Sequence, residues 1–293
     1  MRIVVIVQAR TGSSRLPGKV LRRVGRQTIL THVLARAKRI PGAHEVVVAT
    51  TTDPLDDAIV SLARGAGVRW VRGSEDDVLG RYVMAAEATR ADVIMRLTSD
   101  CPLLDPAVAG LVLEAFRAAA STAQWYASNV HSPSWYDGCD VEVFSRAALQ
   151  EADRCATSTE REHVTTRIWQ RANERINVAL DGEDHSGLKL SVDTAEDLDR
   201  VRRTHAMLRD KEAFGWQDVV AAHRAAFPTA LEHRAVQIFG RRDATADRRE
   251  AYLAGASATA GLAVNPYSTG DEISRRRRDA WLLGFEDGPW AGA

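Results

Sequence analysis

The chain has 293 residues, of which 45% are hydrophobic and 27% are charged. This composition is typical of a globular protein with one large domain, alone or with a small appendage, and it excludes disordered and fibrous classes. The 39 basic residues balance the 39 acidic ones, so no overall charge indicates binding to nucleic acid or to acidic lipid.

Cysteine usage and the start of the chain indicate where the protein works. Cys101, Cys139 and Cys155 are odd in number and widely spaced, which fits neither a disulfide framework nor a zinc site and favours a reducing compartment. Met1 is followed almost directly by a predicted strand, without the pattern of a secretory signal. No apolar run is long enough to cross a bilayer. We therefore expect a soluble, cytoplasmic protein with no membrane partner.

The first predicted element is a strand at residues 3–7, followed by a loop at residues 8–19. The strand is a run of β-branched residues without alternation, which is typical of a parallel strand buried on both faces. The loop combines glycines and serines with Arg10, Arg15 and Lys19. Backbone N–H groups and cations of this kind suit an anion, which predicts a triphosphate-binding loop at the carboxyl edge of a sheet. An ordinary polar connection is the alternative, and the spacing matches neither of the common glycine-rich nucleotide motifs.

Strands and helices then alternate along the first half of the chain. Further strands are predicted at residues 45–50, 68–72 and 93–97. Helices are predicted after Thr28 to residue 39, after Asp53 to residue 66, after Ser74 to residue 90, and from 106 to about 120. The order predicts an α/β fold with a doubly wound, mostly parallel sheet.

The second half of the chain is less regular. Strands are predicted at residues 124–128, 141–144, 176–180 and 189–192. Helices are predicted at residues 160–171, from Thr194 to about 208, and at 216–226. A long loop at residues 129–140 separates two of the strands, and loops of this length in a compact domain are often functional.

The composition changes near residue 235. Residues 235–293 contain no lysine, eight arginines and eight acidic residues. We predict a nucleotide-binding domain at residues 1–234 and a small helical module at 235–293. The module is too short for a large core of its own, and a C-terminal extension docked on the main domain is the alternative.

Two aspartates follow predicted strands. Asp100 comes after the strand at 93–97, and Asp193 comes after the strand at 189–192. If both strands run in the same direction in one sheet, the carboxylates share an edge with the loop at residues 8–19. Mg²⁺ takes one or two protein carboxylates together with phosphate oxygens, so the pair predicts a metal site. Each aspartate could instead cap the structure that follows it.

Seven ordered motifs carry a family resemblance. They lie at residues 8–19 (Gln-Ala-Arg-Thr-Gly-Ser-Ser-Arg-Leu-Pro-Gly-Lys), 48–52, 72–82, 98–102 (Thr-Ser-Asp-Cys-Pro), 138–144, 160–164 and 190–194 (Leu-Ser-Val-Asp-Thr). Over about residues 1–210 the chain resembles the spore-coat polysaccharide biosynthesis F group. That group is similar to the cytidylyltransferases that activate 3-deoxy-octulosonate and sialic acid. The resemblance implies a Rossmann-like fold of the nucleotide-diphospho-sugar transferase type.

The same resemblance implies an activity and its site. The activity is Mg²⁺-dependent transfer of CMP from CTP to an acidic or deoxy sugar, with release of pyrophosphate, in surface polysaccharide or glycan biosynthesis. The implied nucleotide-binding residues are Gln8, Ala9, Arg10, Ser13, Arg15, Lys19, Thr50, Thr51, Arg72, Gly73, Ser74 and Thr98. The implied sugar-binding residues are Asn129, Asp140, Glu142, Arg161 and His163. The implied metal ligands are Asp100 and Asp193, which act in catalysis with Arg10 and Lys19.

Other roles stay open for some residues. His163 is either a general base or a structural histidine on a helix. A nucleotide-sugar glycosyltransferase is the alternative enzyme, but it requires a metal-binding Asp-x-Asp at a strand end. The sequence Asp197-Leu-Asp199 lies within a predicted helix, where we expect a solvated face.

The C-terminal module resembles a different family. Residues 248–290 are similar to the small ribosome modulation factors, in their spaced glycines, Pro-Tyr turn and basic segment. This resemblance implies contact with the ribosome or RNA, with residues 275–278 binding phosphates. The balanced charge of the module favours docking or oligomerisation instead. We expect a homodimer.

Overall fold

A computed structural model describes residues 1–119, 125–172, 174–208 and 213–228 of the chain. The chain divides into two units, Met1–Ala222 and His223–Ala293, and the sheet and cleft described below lie in the first. The predicted domain boundary at residues 234–235 and the predicted helices of residues 235–293 lie outside the described residues. They stay predictions.

Strands make up one large sheet and one small hairpin. The described strands are β1 (Ile3–Gln8), β2 (Arg23–Val24), β3 (Gln27–Thr28), β4 (Glu45–Thr51), β5 (Arg69–Gly73), β6 (Val93–Thr98), β7 (Trp125–Ser128), β8 (Glu142–Ser145) and β9 (Glu174–Asn177). The large sheet has the order β5–β4–β1–β6–β8–β7–β9, and β2 pairs with β3.

The large sheet is mostly parallel, as predicted. β1 pairs in parallel with β4 and β6, β4 with β5, and β7 with β9, whereas β8 is antiparallel to both β6 and β7. The chain moves from β1 to β4 and β5 on one side, then returns to β6 on the other. This reversal beside β1 is the switch point at which open α/β sheets bind ligands, beyond the carboxyl ends of the strands.

Helices cover both faces of the sheet. They are α1 (Ile29–Ala37), α2 (Asp57–Gly65), α3 (Val78–Thr89), α4 (Pro106–Ala118), α5 (Arg146–Cys155), α6 (Ser158–His163), α7 (Thr166–Arg171), α8 (Ala195–Met207) and α9 (Trp216–Ala226). Apolar side chains of α1, α2 and α4 form one core layer with Val5 and Val7, while α3, α5 and α7 form the other with Val4 and Ile6. Alternation along a strand sends neighbouring side chains to opposite faces, and this explains why the whole of β1 is apolar.

Capping residues fix where several helices begin. Thr28 and Thr194 accept hydrogen bonds from backbone N–H groups in the first turns of α1 and α8, as predicted, and Asp105 caps α4 in the same way. The predicted cap at Ser74 is wrong, because Asp77 accepts from Gly80 N and α3 begins at Val78. No described helix is both long and apolar enough to cross a membrane.

Two other predicted elements differ in kind from the structure. The single helix predicted at residues 160–171 is two helices, because buried Val164 has a φ of 56°. The predicted strand at residues 189–192 makes only an isolated bridge, from Lys189 to Asp137, and is not part of the sheet. Helix α5 and the β2–β3 hairpin were not predicted.

Candidate active site

The loop after β1 is held in shape by a buried carboxylate. Asp56 is 1% exposed, and its Oδ1 accepts hydrogen bonds from Thr11 N at 2.8 Å and Thr11 Oγ1 at 2.7 Å. Gly18 N in turn donates to Thr11 O at 2.9 Å, and Gly18 has a φ of 66° that favours glycine. These bonds close the loop and start the short turn that carries Lys19.

Two threonines predicted to bind nucleotide belong to this support. Thr50 and Thr51 are 0% and 2% exposed, and their hydroxyls donate to Asp56 Oδ2 at 3.1 and 2.5 Å. Burial would raise the pKa of Asp56, but the hydrogen bonds from Thr11, Thr51 and Thr50 outweigh it and lower the pKa. Asp56 therefore stays ionised, and Thr50 and Thr51 position the loop indirectly, by holding the carboxylate that binds Thr11.

Asp100 and Asp193 meet at one cation. Lys19 Nζ lies 2.7 Å from Asp100 Oδ2 and 2.9 Å from Asp193 Oδ1. Arg15 and Lys189 also contact Asp193, at 3.0 and 2.8 Å. Burial would raise the pKa of Asp193, but the two lysines outweigh it and lower the pKa to about 2. Burial would likewise lower the pKa of Lys19, whereas the carboxylates raise it, so Lys19 and Asp193 are both charged near neutral pH.

The way Asp193 reaches this position differs from the prediction. The segment before it is not a strand of the sheet; instead, Val192 N donates directly to Asp100 O at 2.9 Å. Two further backbone bonds, from Leu190 N to Asp137 O and from Asp137 N to Leu188 O, fix the same segment. The two carboxylates thus lie at the same edge of the sheet because backbone hydrogen bonds join the loops that carry them.

A carboxylate pair of this kind fits a divalent cation. Both aspartates direct an oxygen at the same Lys19 ammonium group, and Mg²⁺ favours one or two carboxylates completed by phosphate oxygens. Within the described ranges no group of three or more histidine, cysteine or acidic side chains is arranged around one point. The pair therefore suits a metal that arrives with a phosphate ligand better than a closed protein site.

A cleft of about 300 Å³ lies above the carboxyl ends of β1 and β6. Ten of the predicted site residues line it: Gln8, Ala9, Arg10, Ser13, Arg15, Lys19, Thr98, Asp100, His163 and Asp193. Residues that are far apart in the sequence, from Gln8 to Asp193, are brought together here.

The remaining predicted residues have other contacts. Arg72 donates to the carbonyl oxygens of Thr51 and Asp53 and to the Asp57 carboxylate, so it ties β5 to the start of α2. Gly73 packs closely against Arg81: a Cβ on Gly73 would lie 2.9 Å from Arg81 Cγ. Ser74 contributes its carbonyl oxygen to Arg81.

The predicted sugar-binding residues are also largely engaged with protein groups. Asn129 is buried and closes its own loop, with bonds to Cys139 O at 2.8 Å and Val141 N at 2.9 Å. Glu142 is bound by Arg96 and by Tyr126 OH. Arg161 forms paired bonds to Asp77 at 2.8 and 2.9 Å, which attach α6 to α3.

Asp140 differs from these because its carboxylate makes no hydrogen bond or ion pair with the other described residues. Burial, followed by repulsion from Asp137 and Glu142, raises the pKa of Asp140 to about 7. A carboxyl group with this pKa can exchange protons near neutrality. Burial also raises the pKa of the Cys101 and Cys139 thiols, so neither is an activated nucleophile.

Comparison with known proteins shows which family the chain belongs to. A family model described as cytidylyltransferase matches residues 4–207, which span the sheet, the loop after β1 and both aspartates. The chain belongs to the cytidylyltransferase family.

Individual relatives support the assignment. The chain is 32% identical to the spore coat polysaccharide biosynthesis protein SpsF of Bacillus subtilis over 209 residues, which cover 68% of this chain and 85% of the relative. It is 37% identical to a 3-deoxy-manno-octulosonate cytidylyltransferase of Geobacter sulfurreducens over 110 residues, 37% of this chain and 42% of that protein. A solved cytidylyltransferase of Leptospira borgpetersenii superposes with a TM-score of 0.72 at 31% identity, covering 77% of this chain and 94% of its own.

The cytidylyltransferase is thus a nucleotidyltransferase, and its Rossmann-like fold is the one that the motifs implied. The alternative of a glycosyltransferase needed a metal-binding Asp-x-Asp. Asp197 is buried rather than solvated, and it serves in the capping box of α8 and pairs with Arg200 at 2.8 Å. Asp199 is exposed. The two aspartates do not form a site together.

Sequence reasoning missed two arginines of the cytidylyltransferase cleft. Arg81 and Arg96 both line it. Arg81 lies in the apolar stripe of α3 with Val78, Tyr82 and Ala85, all buried. An arginine at such a position is rarely buried without a partner, and this was the signal available in the sequence.

Arg96 is part of a polar network beneath the cleft. It pairs with Glu142 on the neighbouring strand, and its Nε donates to Gln8 Oε1 at 3.3 Å. Tyr82 OH donates to the same Gln8 oxygen at 3.1 Å. Since the amide oxygen of Gln8 accepts two bonds, its NH₂ group is the end left to face the cleft.

Proposed function

We propose that this cytidylyltransferase transfers CMP from CTP to a hydroxyl group of an acidic or deoxy sugar, with release of pyrophosphate, for surface polysaccharide or glycan biosynthesis. The observation that carries the proposal is the convergence of Asp100 and Asp193 on Lys19, within a cleft bordered by the basic loop. The names of the relatives, a spore coat polysaccharide protein and a 3-deoxy-manno-octulosonate cytidylyltransferase, support the substrate class.

In this proposal the basic side chains bind the triphosphate. Lys19 leaves the carboxylates for the phosphate oxygens, and Arg15 and Ser13 bind the same chain from the loop. Asp100 and Asp193 would hold Mg²⁺, which when bound withdraws charge from the phosphates. Transfer of this type depends mainly on positioning and charge stabilisation, and the cleft supplies both.

The bond changes follow from the substrates. An acceptor hydroxyl oxygen forms a bond to the α-phosphorus of CTP, while the bond from that phosphorus to the bridging oxygen of the β-phosphate breaks. The hydroxyl proton needs an acceptor within reach, and His163 lines the cleft and is the candidate. Pyrophosphate leaves with the electron pair of the broken bond.

The test is pyrophosphate release from CTP in the presence of Mg²⁺ and a panel of sugars. The panel contains 3-deoxy-octulosonate, N-acetylneuraminate and neutral sugars lacking a carboxylate. We expect release with at least one acid or deoxy sugar and CMP-sugar as the second product. Tight binding of CTP with no release across the panel would contradict the proposal.

A variant pair tests the site within the same assay. Asp100→Asn should abolish release, because it removes one of the two carboxylates that converge on Lys19. Asp199→Asn is the matched control, since Asp199 is exposed on α8, and it should retain full activity. Equal activity of the two variants would remove Asp100 from the site.

The oligomeric state and the role of the C-terminal module are not part of this proposal. The homodimer, and ribosome or RNA contact through residues 248–290, remain predictions from the sequence. Residues 248–290 lie outside the described ranges.

A further inference from the structure

Arg81 is a buried cation in the wall of the cleft. It lies in the first turns of α3, is 2% exposed and lines the cleft. One nitrogen, Nη1, donates to the carbonyl oxygens of Ser74 and Glu75. These bonds fix the plane of the guanidinium group but neutralise no charge.

The other edge of the guanidinium group has no protein partner in the described residues. Arg81 Nε is fully buried without a hydrogen bond, and the hydrogen bonds that the Arg81 side chain donates to the described residues all come from Nη1. Carboxylates in the neighbourhood are each bound by another group: Asp56 by Thr11, Glu75 by Arg10 and Asp77 by Arg161. A buried charged donor without a hydrogen-bond partner costs free energy. This edge of the guanidinium group is therefore suited to donate hydrogen bonds to a bound ligand.

The position of Arg81 indicates which part of a ligand would reach it. Helix α3 packs against β5, β4 and β1, whereas Asp100 follows β6 on the opposite side of β1. A nucleotide with its phosphates at Lys19 and the carboxylates would direct its other end toward α3. Gly73 leaves room for Arg81 in this position, because any side chain at residue 73 would collide with Arg81.

The hydrogen-bond donors of Arg81 indicate which group of the ligand it contacts. The Nε and Nη2 atoms present two parallel N–H donors, which suit two adjacent acceptors. Cytosine offers such a pair in N3 and O2, whereas N3 of uracil carries a hydrogen and is a donor. Resting on the proposed function, we infer that Arg81 binds the cytosine base through paired hydrogen bonds to N3 and O2 and thereby rejects uracil.

The test measures base preference by direct binding, without an acceptor sugar. Calorimetric affinities for CTP and UTP are compared in the wild type, Arg81→Gln and Arg81→Lys. A bidentate arginine contact with a base is worth roughly 10- to 100-fold in discrimination, so both substitutions should lower the CTP-to-UTP affinity ratio by about that factor. The Arg81→Gln substitution should also improve the binding of UTP, because the amide oxygen of Gln can accept a hydrogen bond from N3–H of uracil.

Controls separate base recognition from other roles. Arg117→Gln, on α4 and paired with Glu114, should leave the ratio unchanged. Arg81→Lys keeps the positive charge, so it remains informative if the Gln variant folds poorly. An unchanged ratio in a folded Arg81 variant would overturn the inference. Equal weakening of CTP, UTP and free pyrophosphate would also overturn it, since that pattern marks a phosphate contact.

The same measurements distinguish this inference from the proposed function. A wild-type protein with no preference for CTP over UTP would contradict the use of CTP itself. A clear wild-type preference that persists in both Arg81 variants would reject only the role of Arg81.

Discussion

At the scale of single residues, the Lys19 ammonium group holds together two carboxylates that would otherwise repel each other. Its Nζ is 2.7 and 2.9 Å from Asp100 and Asp193. Lys19 therefore stabilises the pair, and in the proposed function it also binds the phosphates of CTP.

Replacement of Lys19 by Met should strengthen metal binding and abolish transfer. Without the ammonium group, two like charges face each other and attract a divalent cation more strongly. We expect Mn²⁺ affinity without nucleotide to rise by roughly tenfold, about 1.4 kcal/mol, in a calorimetric titration. Lys38→Met is the control, since Lys38 binds Ala66 O on the surface. Unchanged Mn²⁺ affinity in the Lys19 variant would argue against the shared site.

Asp140 provides a pH-dependent prediction. Its pKa of about 7 lies above the ordinary value of 3.8, so between these values the folded state keeps a proton that the unfolded chain releases. Stability therefore falls as pH rises through this window and stops falling above pH 7. Asp140→Asn should match the wild type in acid and exceed its unfolding free energy by about 1 kcal/mol or more at pH 8.

Urea unfolding at several pH values measures this difference. Asp199→Asn, at an exposed position of α8, is the control and should show no such trend. The wild type and Asp140→Asn could instead differ in stability by the same amount at every pH. That result would show that burial does not raise the pKa of Asp140.

At the scale of elements, a close contact between two loops positions Asp193. Gly138 has a φ of 117°, and a Cβ there would lie 2.8 Å from the carbonyl carbon of Leu190. The neighbouring bonds of Asp137 with Leu188 and Leu190 depend on this approach. The segment that ends at Asp193 thus has its position fixed by a glycine in a loop far away in the sequence.

Gly138→Ala should disturb both stability and activity. Backbone strain of this kind costs about 1–3 kcal/mol, and relief of the clash would move the segment leading to Asp193. We expect a lower melting temperature together with a lower kcat. Gly187→Ala is the matched control, because nothing lies within 4 Å of its Cβ position. Equal behaviour of the two variants would contradict the role given to Gly138.

At the scale of the whole molecule, the cleft and its supports come from the first unit of the chain. The residues that line the cleft lie between Gln8 and Asp193, and the family model ends at residue 207. The switch point beside β1 brings these distant segments to one edge of the sheet. Catalysis should therefore be separable from the C-terminal module.

A chain shortened to residues 1–234 should retain nucleotidyl transfer. It contains the whole sheet, both aspartates and helix α9. We expect kcat and KM for CTP to match those of the full chain in the pyrophosphate assay. Loss of transfer by a folded, CTP-binding shortened chain would show that residues 235–293 take part in the reaction.

Local features of this protein could be predicted from its amino-acid sequence. The apolar run of β1, the caps at Thr28, Asp105 and Thr194, and the basic loop are set by contacts between near neighbours. Such contacts leave periodic patterns and characteristic spacings. The alternation of strands and helices was sufficient to predict the doubly wound sheet.

The pairing of groups that are distant in the sequence is visible only in the folded chain. It showed that Thr50 and Thr51 support Asp56, that Val192 binds Asp100 through the backbone, and that Arg81 has an edge without a partner. Whether a polar group is satisfied depends on neighbours far along the chain, and no local pattern records them. For this reason the basic loop could be predicted from the sequence, whereas the side chains that hold it in shape were identified only in the structure.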